Sequence, residues 1–183
     1  MTTTSHDPTP VTPSVPAEAS PAAVGQLQTA TFAGGCFWGV EDAFRQVPGV
    51  VATRVGYTGG RTANPTYRDV CSHTTGHAEA VEVTFDPARV GYEQLLGAFF
   101  QDIHDPTQKN RQGPDVGDQY RSAVYVHSQE QRQAAEQLRA RLDAEGRFRR
   151  PIVTEITDAP RFWEAEDYHQ QYFEKRGGGA CHI

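Results

Sequence analysis

The 183-residue chain has no excess of positive charge, few cysteines and no long apolar run. Lysine and arginine total 17 against 23 aspartate and glutamate residues, so the formal net charge is −6. This balance does not supply the basic face that nucleic-acid binding requires. No apolar stretch approaches the roughly 20 residues of a membrane-spanning helix. We therefore expect neither a nucleic-acid nor a membrane partner.

The amino-terminal region lacks the features of a targeting segment. It contains no basic region followed by an apolar stretch, as a secretory signal would, and its first basic residue is Arg45, which argues against an arginine-rich transit peptide. The 3 cysteines are odd in number and widely spaced, unlike a secreted disulfide framework. These absences predict a reducing, cytoplasmic setting.

The length of the chain predicts one globular domain, with a tail at each end. Residues 1–26 scatter proline among threonine, serine and alanine, which is typical of disordered segments. Residues 27–176 would form the folded domain, and residues 177–183 a flexible glycine-rich tail. We expect a monomer.

One cysteine lies at the boundary between a predicted strand and a predicted helix. Residues 29–33 have the pattern of a short strand that runs into Gly34 and Gly35, and apolar residues then recur at helical spacing. Cys36 is therefore predicted at a helix N-terminus, where unpaired N–H groups and the helix dipole favour a thiolate. Because glycines flank this stretch, we expect Cys36 to be exposed at a turn and to act as a nucleophile, rather than to be a buried core cysteine.

The periodicity of apolar residues predicts a mixed fold. Alternation indicates strands over 50–57, 79–85 and 120–127, and helical spacing indicates a helix over 92–103. The resulting β-α-β-β-α-β order is that of a split βαβ unit. We predict an α+β fold whose ferredoxin-like core forms a two-layer sandwich.

Further elements are predicted on the carboxyl side of this core. Ser128 and Gln131 have the form of a capping box that opens a helix ending at Gly146. A strand is expected over 152–157 and a last helix over 161–175.

Two connections in this pattern, 58–78 and 104–119, are too long for simple turns. Loops of such length are often functional, so we expect the site to draw on them.

Glu79 is the carboxylate whose position is most informative. In a strand over 79–85 it shares one face with Val81, Val83 and Phe85, because alternate residues point to the same side. A carboxyl group at the edge of an apolar face is partly desolvated, which favours its neutral form and suits a general acid. The pattern alone equally allows a strand-end glutamate that turns into solvent.

Several motifs resemble, in their order, those of the A-class peptide methionine sulfoxide reductases. The resemblance covers roughly residues 28–176 and would make this the catalytic domain. The matching stretches are 35–39 (GCFWG), 56–60 (GYTGG), 65–67 (PTY), 75–79 (TGHAE), 104–108 (HDPTQ), 110–122 (NRQGPDVGDQYRS) and 165–170 (AEDYHQ).

The resemblance implies reduction of methionine S-sulfoxide, free or in proteins, to methionine as a repair of oxidative damage. It implies that Glu79 protonates or hydrogen-bonds the sulfoxide oxygen and that Tyr67 and Tyr120 help to hold that oxygen. Without the resemblance, each tyrosine would be interpreted as an interior packing residue.

The resemblance also assigns residues to the substrate pocket. Phe37 and Trp38 correspond to the pair that cradles the S-methyl group, and Asp115 corresponds to an active-site aspartate. From its position after Pro114 alone, Asp115 would be interpreted as a turn residue.

A sulfenic acid on Cys36 needs a second thiol to resolve it. Cys181 follows three glycines and is the predicted resolving cysteine, since the five residues after Arg176 can span roughly 16–18 Å. Thioredoxin or a similar dithiol protein would then reduce the disulfide, and no metal or organic cofactor is required. Cys71 is predicted to take no part.

Two other interpretations of these residues remain. Cys71, His73 and His77, with Cys181 and His182, could hold zinc, although the paired Cys-x-x-Cys signature is absent.

Alternatively, Cys36 could pair with His77 or His104 for acyl transfer. That interpretation lacks an oxyanion-hole motif and leaves Cys181 unexplained.

Overall fold

The computed structural model describes residues 26–177, so the predicted tails, apart from residues 26 and 177, and the predicted resolving residue Cys181 lie outside the described residues. The strands of the described part are β1 (Gln28–Gly34), β2 (Val50–Thr58), β3 (Ala78–Phe85), β4 (Arg111–Gln112), β5 (Asp115–Val116), β6 (Ser122–Val126), β7 (Glu155–Asp158) and β8 (Trp163–Glu164). Its α-helices are α1 (Phe37–Arg45), α2 (Tyr67–Cys71), α3 (Tyr92–Ala98), α4 (Gln129–Ala144) and α5 (Tyr172–Lys175).

The main sheet has the order β7-β6-β1-β3-β2-β8. Its pairs are antiparallel except for β6 and β7, which run parallel. The predicted combination of helices and strands in one fold is thus confirmed: the structure has a central mixed sheet and several helices. The short strands β4 and β5 form a separate hairpin.

The helices α1, α3 and α4 cover one face of this sheet. Phe32 of β1 lies at the centre of that layer, with its ring 4.8 Å from that of Phe44 and 5.0 Å from that of Phe99. The opposite face carries a smaller cluster of buried side chains: Ala33, Ala78, Ala80, Ala123 and Tyr125. Alternation along the strands divides the residues between the two faces, as the period of two requires.

Most predicted elements are present, with shifted ends. The helix predicted over 92–103 is α-helical to Ala98 and continues as a π-helical turn over Phe99–Ile103. Ser128 caps α4 by accepting a hydrogen bond from the backbone N–H of Gln131 at 3.1 Å. The Gln131 side chain accepts from the N–H of His127 and not from that of Ser128, so the capping box is only half formed.

The helix predicted over 161–175 is wrong. This segment, which we call the C-terminal segment, forms β8, a 3₁₀ turn over Asp167–His169 and the short α5. Tertiary hydrogen bonds to β2 replace the helical ones: the Gln170 side chain bonds both the N–H and the C=O of Val55, each at 2.8 Å. Local helix propensity is a weak preference that such contacts override.

No helix among the described residues is long and apolar enough to cross a membrane.

Candidate active site

Cys36 lies where the sequence predicts it, between the end of β1 and the first turn of α1. The preceding Gly35 has φ +97°, a conformation that L side chains rarely adopt. A Cβ at Gly35 would lie 2.8 Å from the Cβ and Cγ of Gln112, so this position admits glycine only. Glycine therefore lets the nucleophile turn pack directly against the loop that carries β4 and β5.

The protonation state of Cys36 differs from the prediction. The residue is half-buried, and burial raises the pKa of its thiol to about 12. Burial is the largest cause of this value; the charge of Glu79, once that group ionises, and the charge of Asp115 contribute to the rise, and the backbone N–H groups of Trp38 and Gly39 oppose it only in part. The helix N-terminus does act on the sulfur, but desolvation is the larger effect, so the resting state is a thiol.

Glu79 lies on the helix-covered face of β3, as its alternation with Val81 predicts. It is 2% exposed, and its Oε2 accepts one hydrogen bond, from the N–H of Phe37 at 3.1 Å. Burial raises the pKa of Glu79 to about 8, because the single bond from Phe37 does not offset the loss of water and the repulsion from Asp115 adds to the rise. At neutral pH Glu79 is therefore a protonated acid, and it contacts the backbone of Phe37, the residue that follows Cys36.

Tyr67 and Tyr120 reach the same place from two different loops. Tyr67 opens α2, and Tyr120 ends a 3₁₀ turn over Asp118–Tyr120. Burial raises the pKa of both phenols, and the proximity of Glu79 adds to the shift of each. Both hydroxyls are thus neutral hydrogen-bond donors close to that carboxyl group.

The helix α2 was not predicted, although the sequence carries its signal. Thr66 and Asp69 form a complete capping box, with the Thr66 hydroxyl accepting from the N–H of Asp69 and the Asp69 side chain accepting from the N–H of Thr66. This Thr-x-x-Asp pattern is recognisable in the sequence.

A second contact holds α2 in place: the N–H of Tyr67 donates to Glu166 Oε1 at 2.8 Å. The capping box starts α2, and the hydrogen bond to Glu166 fixes the position of Tyr67, the first residue of this helix.

Asp115 begins β5 and pairs with Gln112 across the hairpin. The Gln112 side chain bonds the backbone N–H of Asp105 at 2.9 Å and its C=O at 3.0 Å, which anchors the hairpin to the loop. Asp115 is half-buried, and its charge raises the pKa of both Cys36 and Glu79. The structure thus brings Asp115 to the site, where it is more than a turn residue.

Phe37 and Trp38 differ in their environments. Phe37 is 1% exposed and packs inward, with its ring 5.7 Å from that of Tyr57. Trp38 is half-buried and stacks on Tyr172 at 3.7 Å, and its indole N–H donates to His169 Nδ1 at 2.9 Å. The partly open apolar surface beside Cys36 is therefore that of Trp38, with Phe37 behind it.

The C-terminal segment contributes residues for which the sequence suggested no role. Glu166 accepts from the Tyr57 hydroxyl at 2.8 Å as well as from the N–H of Tyr67. Hydrogen bonds from these two groups outweigh the effect of burial and hold the pKa of Glu166 below its ordinary value. His169 is fully buried beside it. The only sequence signal for either residue is the 165–170 motif.

The geometry of the described residues does not support the two alternative sites, although Cys181 and His182 of the zinc alternative lie outside those residues. Among residues 26–177 no group of three or more histidine, cysteine, aspartate or glutamate side chains is arranged to hold a metal ion. His77 uses both ring nitrogens within its loop, with the N–H of Gly60 at 2.9 Å and the C=O of Thr62 at 2.7 Å.

His104 is likewise structural. Its Nδ1 lies 2.7 Å from the C=O of Phe99 and its Nε2 lies 2.7 Å from the Ser122 hydroxyl. Burial lowers the pKa of His104 to about 4. Neither His77 nor His104 is free to act as the base for Cys36.

Cys71 lies closer to the site than its predicted lack of a role suggests. It ends α2 and is half-buried, and its proximity to Tyr67 contributes to the raised pKa of that phenol, after the larger effect of burial.

A thiol at a helix N-terminus, beside a protonated carboxyl group and two phenol donors, is the arrangement expected of a thiol-dependent oxidoreductase. The sequence model of the peptide methionine sulfoxide reductase family matches residues 28–183. The chain belongs to this family, and its activity is that of a peptide-methionine (S)-S-oxide reductase.

Individual relatives agree with this assignment. The peptide methionine sulfoxide reductase MsrA of Methanoculleus marisnigri is 60% identical over 155 residues, which are 85% of this chain and 94% of the relative. Methionine sulfoxide reductase A of Corynebacterium diphtheriae has a similar structure, with a TM-score of 0.73 and 42% identity over 85% of this chain and 78% of that one. Reduced Mxr1 of Saccharomyces cerevisiae gives a TM-score of 0.77 and 34% identity over 84% and 87%.

Proposed function

We propose that Cys36 attacks the sulfur of methionine sulfoxide while Glu79 donates a proton to the departing oxygen. The observation that carries this proposal is the buried carboxyl group of Glu79, whose pKa of about 8 keeps it protonated at neutral pH beside the Cys36 turn. The hydroxyls of Tyr67 and Tyr120 would hold the same oxygen, and Trp38 would contact the S-methyl group.

The raised pKa of Cys36 means that the substrate itself must help to activate the thiol. The sulfur of a sulfoxide carries partial positive charge, and its approach to Cys36 favours the thiolate. Because Glu79 is neutral at that stage, it adds no negative charge to oppose the thiolate. Overall, Cys36 thiol and methionine sulfoxide give methionine and a Cys36 sulfenic acid, so the oxygen and two oxidising equivalents pass to the cysteine.

We further propose that Cys181 condenses with this sulfenic acid, releasing water and forming a Cys36–Cys181 disulfide. The path of the C-terminal segment supports this, since Tyr172 stacks on Trp38 at 3.7 Å. The helix α5 extends to Lys175, and the six residues that follow it can span up to about 20 Å between Lys175 and Cys181.

Thioredoxin or a similar dithiol protein would then reduce the disulfide by exchange. Mxr1 of Saccharomyces cerevisiae has been solved in complex with Trx2, which supports a partner of this kind. In this scheme the substrates are free methionine sulfoxide and oxidised proteins, the protein is a cytoplasmic monomer in oxidative damage repair, and neither metal nor organic cofactor takes part.

We also propose that the unit from β1 to β6 is a ferredoxin-like split βαβ core. The adjacent positions of β6, β1, β3 and β2 in the sheet support this description.

Substitutions of the cysteines test the chemistry. Cys36→Ser should abolish reduction of a methionine sulfoxide peptide even with excess dithiothreitol, because a hydroxyl is a poor nucleophile near neutral pH. Appreciable turnover by this variant would remove Cys36 from the mechanism.

Cys181→Ser separates the resolving step from the chemistry that precedes it. It should release about one equivalent of methionine per enzyme and then stop with thioredoxin, with Cys36 trapped by dimedone as a sulfenic acid. Cys71→Ser is the matched control, because serine keeps a hydroxyl beside Tyr67, and it should continue to cycle. If Cys71→Ser stops instead and Cys181→Ser cycles, Cys71 is the resolving residue.

A further inference from the structure

His169 makes one contact for which the proposed chemistry has no use, its hydrogen bond with Trp38. The residue is 0% exposed, and its Nδ1 lies 2.9 Å from the indole Nε1 of Trp38. An indole N–H can only donate, so Nδ1 must be the unprotonated, accepting nitrogen. The neutral ring then carries its proton on Nε2.

The rest of the His169 ring is held by packing. Aromatic rings surround it, at centroid distances of 5.1 Å for Phe37, 4.7 Å for Tyr67 and 4.0 Å for Tyr168. Its Nε2 has no hydrogen-bond partner in the described part of the chain, since Glu166 Oε2 lies 3.7 Å away. Within residues 26–177, the bond to Trp38 is thus the one hydrogen bond that the buried imidazole makes.

Trp38 is a side chain that needs such a contact. Its ring lies parallel to that of Tyr172, with an interplanar angle of 3°. Parallel stacking constrains the plane of a ring but leaves it some freedom to rotate within that plane. A hydrogen bond at the indole N–H removes this freedom and determines which ring edge lies beside Cys36.

We propose that His169 is a positioning residue that accepts the indole N–H and so sets the orientation of Trp38 as the wall of the methyl-sulfoxide pocket. This inference rests on the role of Trp38 under the proposed function. His169 would act on binding of the methyl group and on its discrimination from larger alkyl groups, and not on proton transfer. Burial lowers the pKa of His169, partly offset by Glu166, which keeps the ring an acceptor at neutral pH.

Two substitutions of His169 isolate the hydrogen bond. His169→Phe keeps an aromatic ring among aromatic neighbours but removes the acceptor. His169→Asn is the matched variant, because its amide oxygen can occupy a position near that of Nδ1. We expect His169→Phe to raise KM for a methyl sulfoxide peptide about 3- to 10-fold, the equivalent of one hydrogen bond, with the saturated single-turnover rate within about twofold. His169→Asn should recover most of this loss.

The indole resonance of Trp38 gives a direct readout that a purely structural role would not move. Trp163 is the second of the 2 tryptophans, so Trp163→Phe leaves a single indole signal in a ¹H–¹⁵N spectrum. The Trp38 proton should move upfield in His169→Phe and return towards its original position in His169→Asn. An unchanged resonance in His169→Phe would overturn the proposal.

A double-mutant cycle separates this inference from the proposed function. Trp38→Phe removes the donor, so His169→Phe should raise KM no further in that background. Additive effects would show that His169 acts by another route and would overturn the proposal. If Trp38→Phe itself leaves KM and methyl-over-ethyl preference unchanged, Trp38 is not the pocket wall, even where the resonance confirms the hydrogen bond. If His169→Phe does not fold, His169→Asn provides the test. Its Trp38 indole resonance and its KM should stay close to the wild-type values, and large changes in a folded His169→Asn would contradict the proposal.

Discussion

Two glutamates beside α1 are equally buried and have different surroundings. Glu41, on the helix itself, is 1% exposed, and Glu79, on β3, is 2% exposed. Glu41 accepts hydrogen bonds from the Thr53 hydroxyl at 2.8 Å, the backbone N–H of Gln171 at 2.9 Å and the Gln171 side-chain amide at 3.0 Å. Glu79 accepts one, from the N–H of Phe37 at 3.1 Å.

The number of hydrogen-bond donors around each carboxyl group accounts for the different roles of Glu41 and Glu79. The bonds of Glu41 tie α1 to β2 and to the C-terminal segment, so its oxygens serve as structural acceptors. Glu79 has too few donors to compensate for the loss of water, and its pKa rises to about 8. Burial alone therefore does not make a glutamate an acid catalyst, because burial with unsatisfied acceptors is what retains the proton.

The largest effect should come from Glu79→Gln, which keeps an acceptor for Phe37 but cannot donate the proton. We expect the single-turnover rate of sulfoxide reduction to fall about 10²–10⁴-fold, as for loss of a well-placed general acid, with substrate binding largely intact. A near wild-type rate would mean that Glu79, like Glu41, is structural.

The pH dependence of that deficit should identify the proton. Below pH 8 wild-type Glu79 is protonated, so the ratio of wild-type to Glu79→Gln rates should stay nearly constant until solvent supplies the proton at low pH. Above pH 8 the wild type loses its acid, and the ratio should fall about tenfold per pH unit. The charge that Glu79 gains above pH 8 also raises the pKa of Cys36, which lowers the wild-type rate in the same direction. A ratio that is flat through pH 9.5 would contradict the assignment.

The same pKa predicts how stability depends on pH. Because the pKa of Glu79 is raised on folding, the folded protein binds more protons than the unfolded chain between the ordinary value of 4.5 and about 8. This contribution to stability is fully present below 4.5 and is lost as pH rises through 8. Urea unfolding should show wild type losing up to about 1.4 kcal/mol per pH unit relative to Glu79→Gln across this window.

Glu41→Gln should have the smallest effect on activity and a measurable one on stability. The amide leaves one of the Gln171 donors without an acceptor, so the free energy of unfolding should fall by about 1–3 kcal/mol. The single-turnover rate should stay within a few-fold of wild type, which a stopped-flow assay at low urea can check. A loss as large as that of Glu79→Gln would show that the two glutamates do not divide these roles.

The local features of the site could be predicted from residues that are neighbours in the chain. A Gly-Gly turn between a strand and a helix places Cys36 at a helix N-terminus, and a period of two places Glu79 on the face that the helices cover. These features depend on residues close together in the chain, where glycine conformation and side-chain alternation leave few choices. The resemblance to a known family named the tyrosines and Asp115, which spacing alone did not.

Which of these groups hold their protons, and which residues position them, depends on contacts between distant segments. The thiolate expected for Cys36 is a thiol, because the fold surrounds it with apolar groups and two carboxyl groups from distant segments. The helix expected over 161–175 is replaced by contacts with β2 that bring Glu166 and His169 to the site. Desolvation and long-range hydrogen bonds depend on segments more than a hundred residues apart meeting in space, and no local pattern records which ones meet.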